Sequence, residues 1–99
     1  HFILFHILCE ENKIDLNKNY LKNINILIKL FKKTKSRYYI LLINFIIENF
    51  FHTKIKSGQK NINDLIKERL YVSKTIDNFL VYNLTQNSFI NSISEVIHD

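Results

Sequence analysis

Ninety-nine residues, 46% of them hydrophobic and 23% charged, are enough for one folded domain and too few for two. A single glycine, no proline and one cysteine exclude collagen-like, linker-like and turn-dense all-β chains, and with them a disulfide framework or a multi-cysteine zinc site. The net charge of +5 admits duplex DNA or an acidic membrane surface as partner without requiring either.

Seventeen Ile, thirteen Asn and twelve Lys stand against two Arg and no Ala. These favoured residues have A/T-rich codons, so part of the basic charge reads as codon drift rather than selection for phosphate. The chain opens on His1 rather than Met, as a processed product or a piece of a longer protein would.

The opening HFILFHILC is apolar apart from two histidines, but far shorter than the about 20 residues that a membrane-spanning helix needs. It has no basic leader and no small-residue exit, so it reads as a buried or partner-docking helix start. With no span and no secretory signal, the expected location is cytoplasmic.

From Asp15 to Lys33, Leu16, Tyr20, Ile24, Leu27, Ile28 and Phe31 recur at steps of three and four, which predicts an amphipathic helix. Thr34 to Ser36 breaks that pattern, and Ser36 is an N-cap candidate. A second helix is expected from Arg37 to Phe51, with a wide apolar arc of Tyr39, Leu42, Ile43, Ile46, Ile47 and Phe50. His52 to Lys60 reads as a loop around Gly58.

Asn63 is the next cap candidate, with Asp64 suited to the first turn of the helix it opens. Leu65, Ile66 and Leu70 are expected to face inward. Tyr71-Val72 then reads as an interruption, and Ser73 as the cap of a new helix carrying Ile76, Phe79, Leu80, Asn83 and Leu84 on one side. The tail alternates Phe89, Ile93 and Val96 or Ile97 in the manner of a short strand.

Charge is uneven along the chain. Glu10 to Arg37 carries eight basic and three acidic residues, His52 to Lys74 six and two, and Thr75 to Asp99 none and three.

A short helix, a three-residue break and a second helix capped by Ser73 have the spacing of a helix-turn-helix. Leu65, Leu70, Val72, Ile76 and Leu80 would form its small core, leaving Lys74, Thr75, Asn78 and Tyr82 outward. The stretch NDLIKERLYVSKTIDNFLVYNLTQNSFI, set after RYYILLINFIIEN, resembles the winged-helix transcription regulators of the MarR type. Ser73, Ile76, Leu80, Leu84 and Ile90 fall on positions of that family's recognition helix and first wing strand, and His98-Asp99 falls at its wing turn. The second helix lacks the arginines usual in such readers and has Asp77 near its start.

The resemblance implies a mainly α fold with a small β-wing, as a single domain over 1–99. Residues 1–35 would be an N-terminal, dimerisation-like helical segment and 36–99 the winged helix-turn-helix. It implies binding of duplex DNA in transcription control, with a homodimer through the N-terminal helix and a small-molecule effector that no residue identifies. Lys54, Lys56, Lys60, Lys67 and Lys74 would meet phosphates, joined by Ser73 and Thr75 at the helix start. Asn78 would read an adenine edge, and Tyr82 would lie on the same face. Arg69 has the chemistry of a guanine reader, but its place on the bracing helix favours a backbone contact or an internal salt bridge.

No catalysis, cofactor or metal is expected. His1, His6, His52 and His98 lack metal-ligand spacing, His6 and Cys9 sit in an apolar run, and one glycine cannot build a phosphate loop. The rival reading is a small basic all-helical interaction subunit of a larger assembly. It rests on apolar arcs over Leu16–Phe31 and Tyr38–Phe51 that are broader than a chain of this size easily hides. A membrane-surface helix is disfavoured, because Asn23 and Asn25 blur the face it would need.

Overall fold

The computed structural model describes residues 19–58 and 60–97. Four helices follow one another: α1 (Tyr20–Thr34), α2 (Tyr38–Ser57), α3 (Ile62–Tyr82) and α4 (Gln86–Ile93). The chain is mainly helical, as expected, and no strand occurs among the described residues. The expectations for HFILFHILC, for Leu16 and for His98-Asp99 lie outside the described residues.

The expected face of α1 is the one that packs: Tyr20, Ile24, Leu27 and Ile28 are buried against α2. The helix stops where Lys35 turns left-handed (φ 62°) and returns its N–H to the Phe31 carbonyl. Ser36 does help to start α2. Its hydroxyl accepts the Tyr38 N–H at 3.3 Å and its carbonyl the Tyr39 N–H at 3.2 Å.

In α2, Ile43, Ile46 and Ile47 are fully buried, with Phe50 and Phe51 beside them. Tyr20 meets Phe50 edge-on at 5.2 Å. The helix runs six residues past the expected end at Phe51. Nothing from His52 to Lys56 stops a helix, and basic side chains in its last turn suit the dipole. Thr53 Oγ1 and Ser57 Oγ donate back to the Asn49 and Lys54 carbonyls, and Gly58 in the left-handed region (φ 66°) ends the helix.

The largest departure is α3. The expected pair of short helices is one continuous helix of 21 residues, with no turn at Tyr71–Ser73. Neither Gly nor Pro breaks the segment, and Val72 is fully buried. Thr75 Oγ1 donates to the Tyr71 carbonyl four residues back at 2.9 Å, and Ser73 Oγ accepts from Arg69 Nη1 at 3.0 Å. These side chains satisfy their polar atoms along the helix wall, so no cap is required there. The N-cap is Asn61 rather than Asn63, with its side chain accepting the Asn63 N–H at 2.8 Å.

The tail is the second departure. Where a wing strand was expected, Thr85 Oγ1 accepts the Ser88 N–H at 3.2 Å and opens α4. Phe89, Ile93 and Ile97 all face the core. Their spacing of four suits a helix face as well as a strand face, and the cap decides between them. Phe79 lies between Phe31 (5.9 Å) and Phe89 (4.6 Å), joining α1, α3 and α4. Lys32 Nζ donates to Asn83 Oδ1 and to the Leu84 carbonyl, and stands 4.9 Å over the Phe79 ring. It thereby closes the C-terminal end of α3.

Candidate functional site: an apolar groove between α2 and α3

A continuous α3 changes which side chains reach solvent. At 3.6 residues per turn, Leu65, Val72, Ile76 and Phe79 share the buried face. Ile62, Ile66 and Leu70, each four residues from the next, fall on a separate row. That row is exposed by 59%, 53% and 64%, so Ile66 and Leu70 do not face inward as expected. On α2, Leu41, Phe45, Glu48, His52 and Ile55 form an outward row, with Ile55 exposed by 50%.

The two rows border a groove floored by Phe51 and Leu65. Its volume is about 240 Å³, below the usual range for a small-molecule pocket, roughly 300–1,000 Å³. Burying the open half of Ile55, Ile62, Ile66 and Leu70 would contribute about 3–6 kcal/mol, taking ~1.5–3 kcal/mol per fully buried side chain.

Polar groups cross and flank the groove. Arg69 Nη2 pairs with Glu48 Oε1, tying α3 to α2, so Arg69 serves as an internal salt bridge. Lys60 pairs with Glu68 at the start of α3. Lys54 stands 5.5 Å over the Phe50 ring. Among the described residues, Lys56, Lys67 and Lys74 make no ion pair. Lys56 flanks the outward row of α2, and Lys67 and Lys74 lie one step beyond Leu70 on α3.

The residues expected to meet DNA are divided by this arrangement. Lys67, Lys74 and Asn78 are exposed and share the outward side of α3, within an arc of roughly 40°. Tyr82 is exposed one turn further on. Lys54, Lys56 and Lys60 gather around the α2–α3 connection. Thr75 is buried, and Ser73 is half-buried with its hydroxyl occupied by Arg69. Neither stands at a helix start, so the N-terminal amide groups expected to assist them are elsewhere. α3 carries Lys67, Arg69 and Lys74 against Asp64, Glu68 and Asp77, and so has no net charge.

No family model, curated protein or solved structure matches the chain. Among the described residues, no group of three or more His, Cys, Asp or Glu could hold a metal, and no helix is long and apolar enough to cross a membrane.

The sequence reading missed Ile55, Ile62, Ile66 and Leu70 as a surface. The available signal was a helix with two apolar faces, Leu65-Val72-Ile76-Phe79 and Ile62-Ile66-Leu70. The second emerges only when Tyr71–Ser73 is read as helix.

Proposed function

We propose that the chain is a helix-recruiting interaction module, a small basic all-helical subunit whose α2–α3 groove receives an amphipathic helix of a partner protein. The observation that carries this reading is the row Ile62-Ile66-Leu70 facing Ile55 across an open trough, in a chain whose core is already filled by other side chains. An amphipathic helix presents anchors at the same spacing of three and four and lies naturally between two helices.

The test is a titration of the full chain, isotope-labelled at isoleucine methyl groups, with a helical peptide bearing Leu at i, i+3, i+4 and i+7 and Gln elsewhere. Shifts at Ile55, Ile62 and Ile66 that vanish in Ile66→Asp support the reading. That variant should unfold within about 0.5 kcal/mol of the parent, because the site is exposed. Unmoved methyl groups at all three positions would refute it.

Duplex DNA binding in transcription control is the second reading. It draws on the outward row of Lys67, Lys74 and Asn78 and on the basic α2–α3 connection. Its mark, in the full chain labelled uniformly with nitrogen-15, is a DNA-induced shift of the backbone amides of those three residues that fades steeply with salt, since phosphate contacts release counterions. The buried Thr75 and the neutral α3 make it the weaker of the two.

A further inference from the structure

We infer that the helix received by the groove carries acidic residues along both of its flanks. This rests on the groove reading above. On the outer banks, Lys56 stands on α2, and Lys67 and Lys74 stand on α3 beyond Leu70. Glu48 and Glu68, at the groove floor and its α3 entrance, are already held by Arg69 and Lys60, while Asp77 stands exposed beyond Leu70 at the far end of the α3 row. An incoming helix therefore meets an apolar floor, Lys56 on the α2 bank, and on the α3 bank the two exposed lysines Lys67 and Lys74 with Asp77 beside the second. Glutamates placed beside its anchors would pair with those lysines.

The same arrangement argues against other occupants. A second copy of this chain would bring +5 against +5 and set the bank lysines against one another. A lipid surface is flat, whereas these apolar side chains line a trough that only a ridge can fill. Duplex DNA would leave the isoleucines in water.

The experiment compares two peptides with the same leucine anchors, one flanked by Glu and one by Lys, titrated into the methyl-labelled full chain. Anionic phosphatidylserine vesicles and duplex DNA are run alongside. Exposed ion pairs are individually weak, and three together give about a tenfold preference for the Glu-flanked peptide at low salt. That preference should shrink with added salt and reverse in Lys67→Glu/Lys74→Glu, with the methyl shifts still at Ile55, Ile62 and Ile66. Equal affinity for the two peptides would overturn the inference and leave the groove reading standing. Failure of both peptides to move the methyl groups would remove the groove reading itself. Vesicles or DNA moving those methyl groups more than the Glu-flanked peptide would overturn the choice of a protein partner.

Discussion

Proline at position 74 separates a continuous α3 from two helices meeting at Ser73. If Ser73 capped a new helix, Lys74 would be its first residue, where proline is well tolerated because that amide has no partner and φ is already suitable. In the continuous helix, Lys74 lies thirteenth from the start and its amide bonds back to the Leu70 carbonyl. Proline there removes that bond and drives its ring into the preceding turn, at a cost of about 3 kcal/mol or more. Lys74 is exposed, so losing its side chain adds little, and Lys74→Ala should stay within about 0.5 kcal/mol of the parent. In a chain of this length each kcal/mol moves the midpoint by about 4–8 °C, so Lys74→Pro should melt roughly 12–24 °C below Lys74→Ala. Thermal unfolding followed by circular dichroism reads this directly. A Lys74→Pro protein melting with Lys74→Ala would refute the continuous helix, and with it the exposed row that forms the groove.

Two further substitutions probe the packing and the helix stop. Phe79→Ala empties a fully buried position between Phe31 and Phe89, and should cost about 3–5 kcal/mol in urea unfolding. A loss below about 1 kcal/mol would mean that this aromatic cluster does not hold α1, α3 and α4 together. Gly58→Ala places a Cβ in open space but at φ 66°, so backbone strain alone should cost about 1 kcal/mol, and Gly58→Asn less, since asparagine visits this region more readily. Equal stability of the Ala and Asn variants would show that the left-handed stop of α2 contributes nothing.

Helix existence was legible in the sequence wherever an apolar face recurred without competition. Tyr20, Ile24, Leu27 and Ile28 marked the packed side of α1, and Ile43, Ile46 and Ile47 that of α2. What misled was the reading of weak punctuation as strong. Ser, Thr and β-branched Val lower helix propensity by a few tenths of a kcal/mol each, which the burial of Val72 readily overrides. Ser73 has the same side chain at a cap or mid-helix, and only the neighbouring Arg69 decides which hydrogen bond it makes. Lys54 and Lys56 likewise read as loop composition, although their charges suit a helix end. The candidate site was least legible, because it depends on two helices lying side by side, and residues 55 and 66 have no visible relation in one dimension.

Compositional drift could by itself place isoleucine on the surface of a chain so rich in it. Drift would distribute exposed isoleucines over all four helices, as it does the lysines of α1, α2 and α3. The described isoleucines behave differently. Most are buried, Ile26 and Ile90 are half-buried, and the three that are exposed, Ile55, Ile62 and Ile66, all line one groove. Leu70, also exposed, lines it with them. Leaving four half-open aliphatic side chains together in water costs several kcal/mol relative to burying them. Polar substitution at any of the four would relieve that cost without disturbing the core, since none contributes to it. Val81 and Leu41 are exposed outside that trough, so the confinement is a property of the isoleucines with Leu70 rather than of every exposed aliphatic side chain, and it is the property on which the proposed helix docking draws.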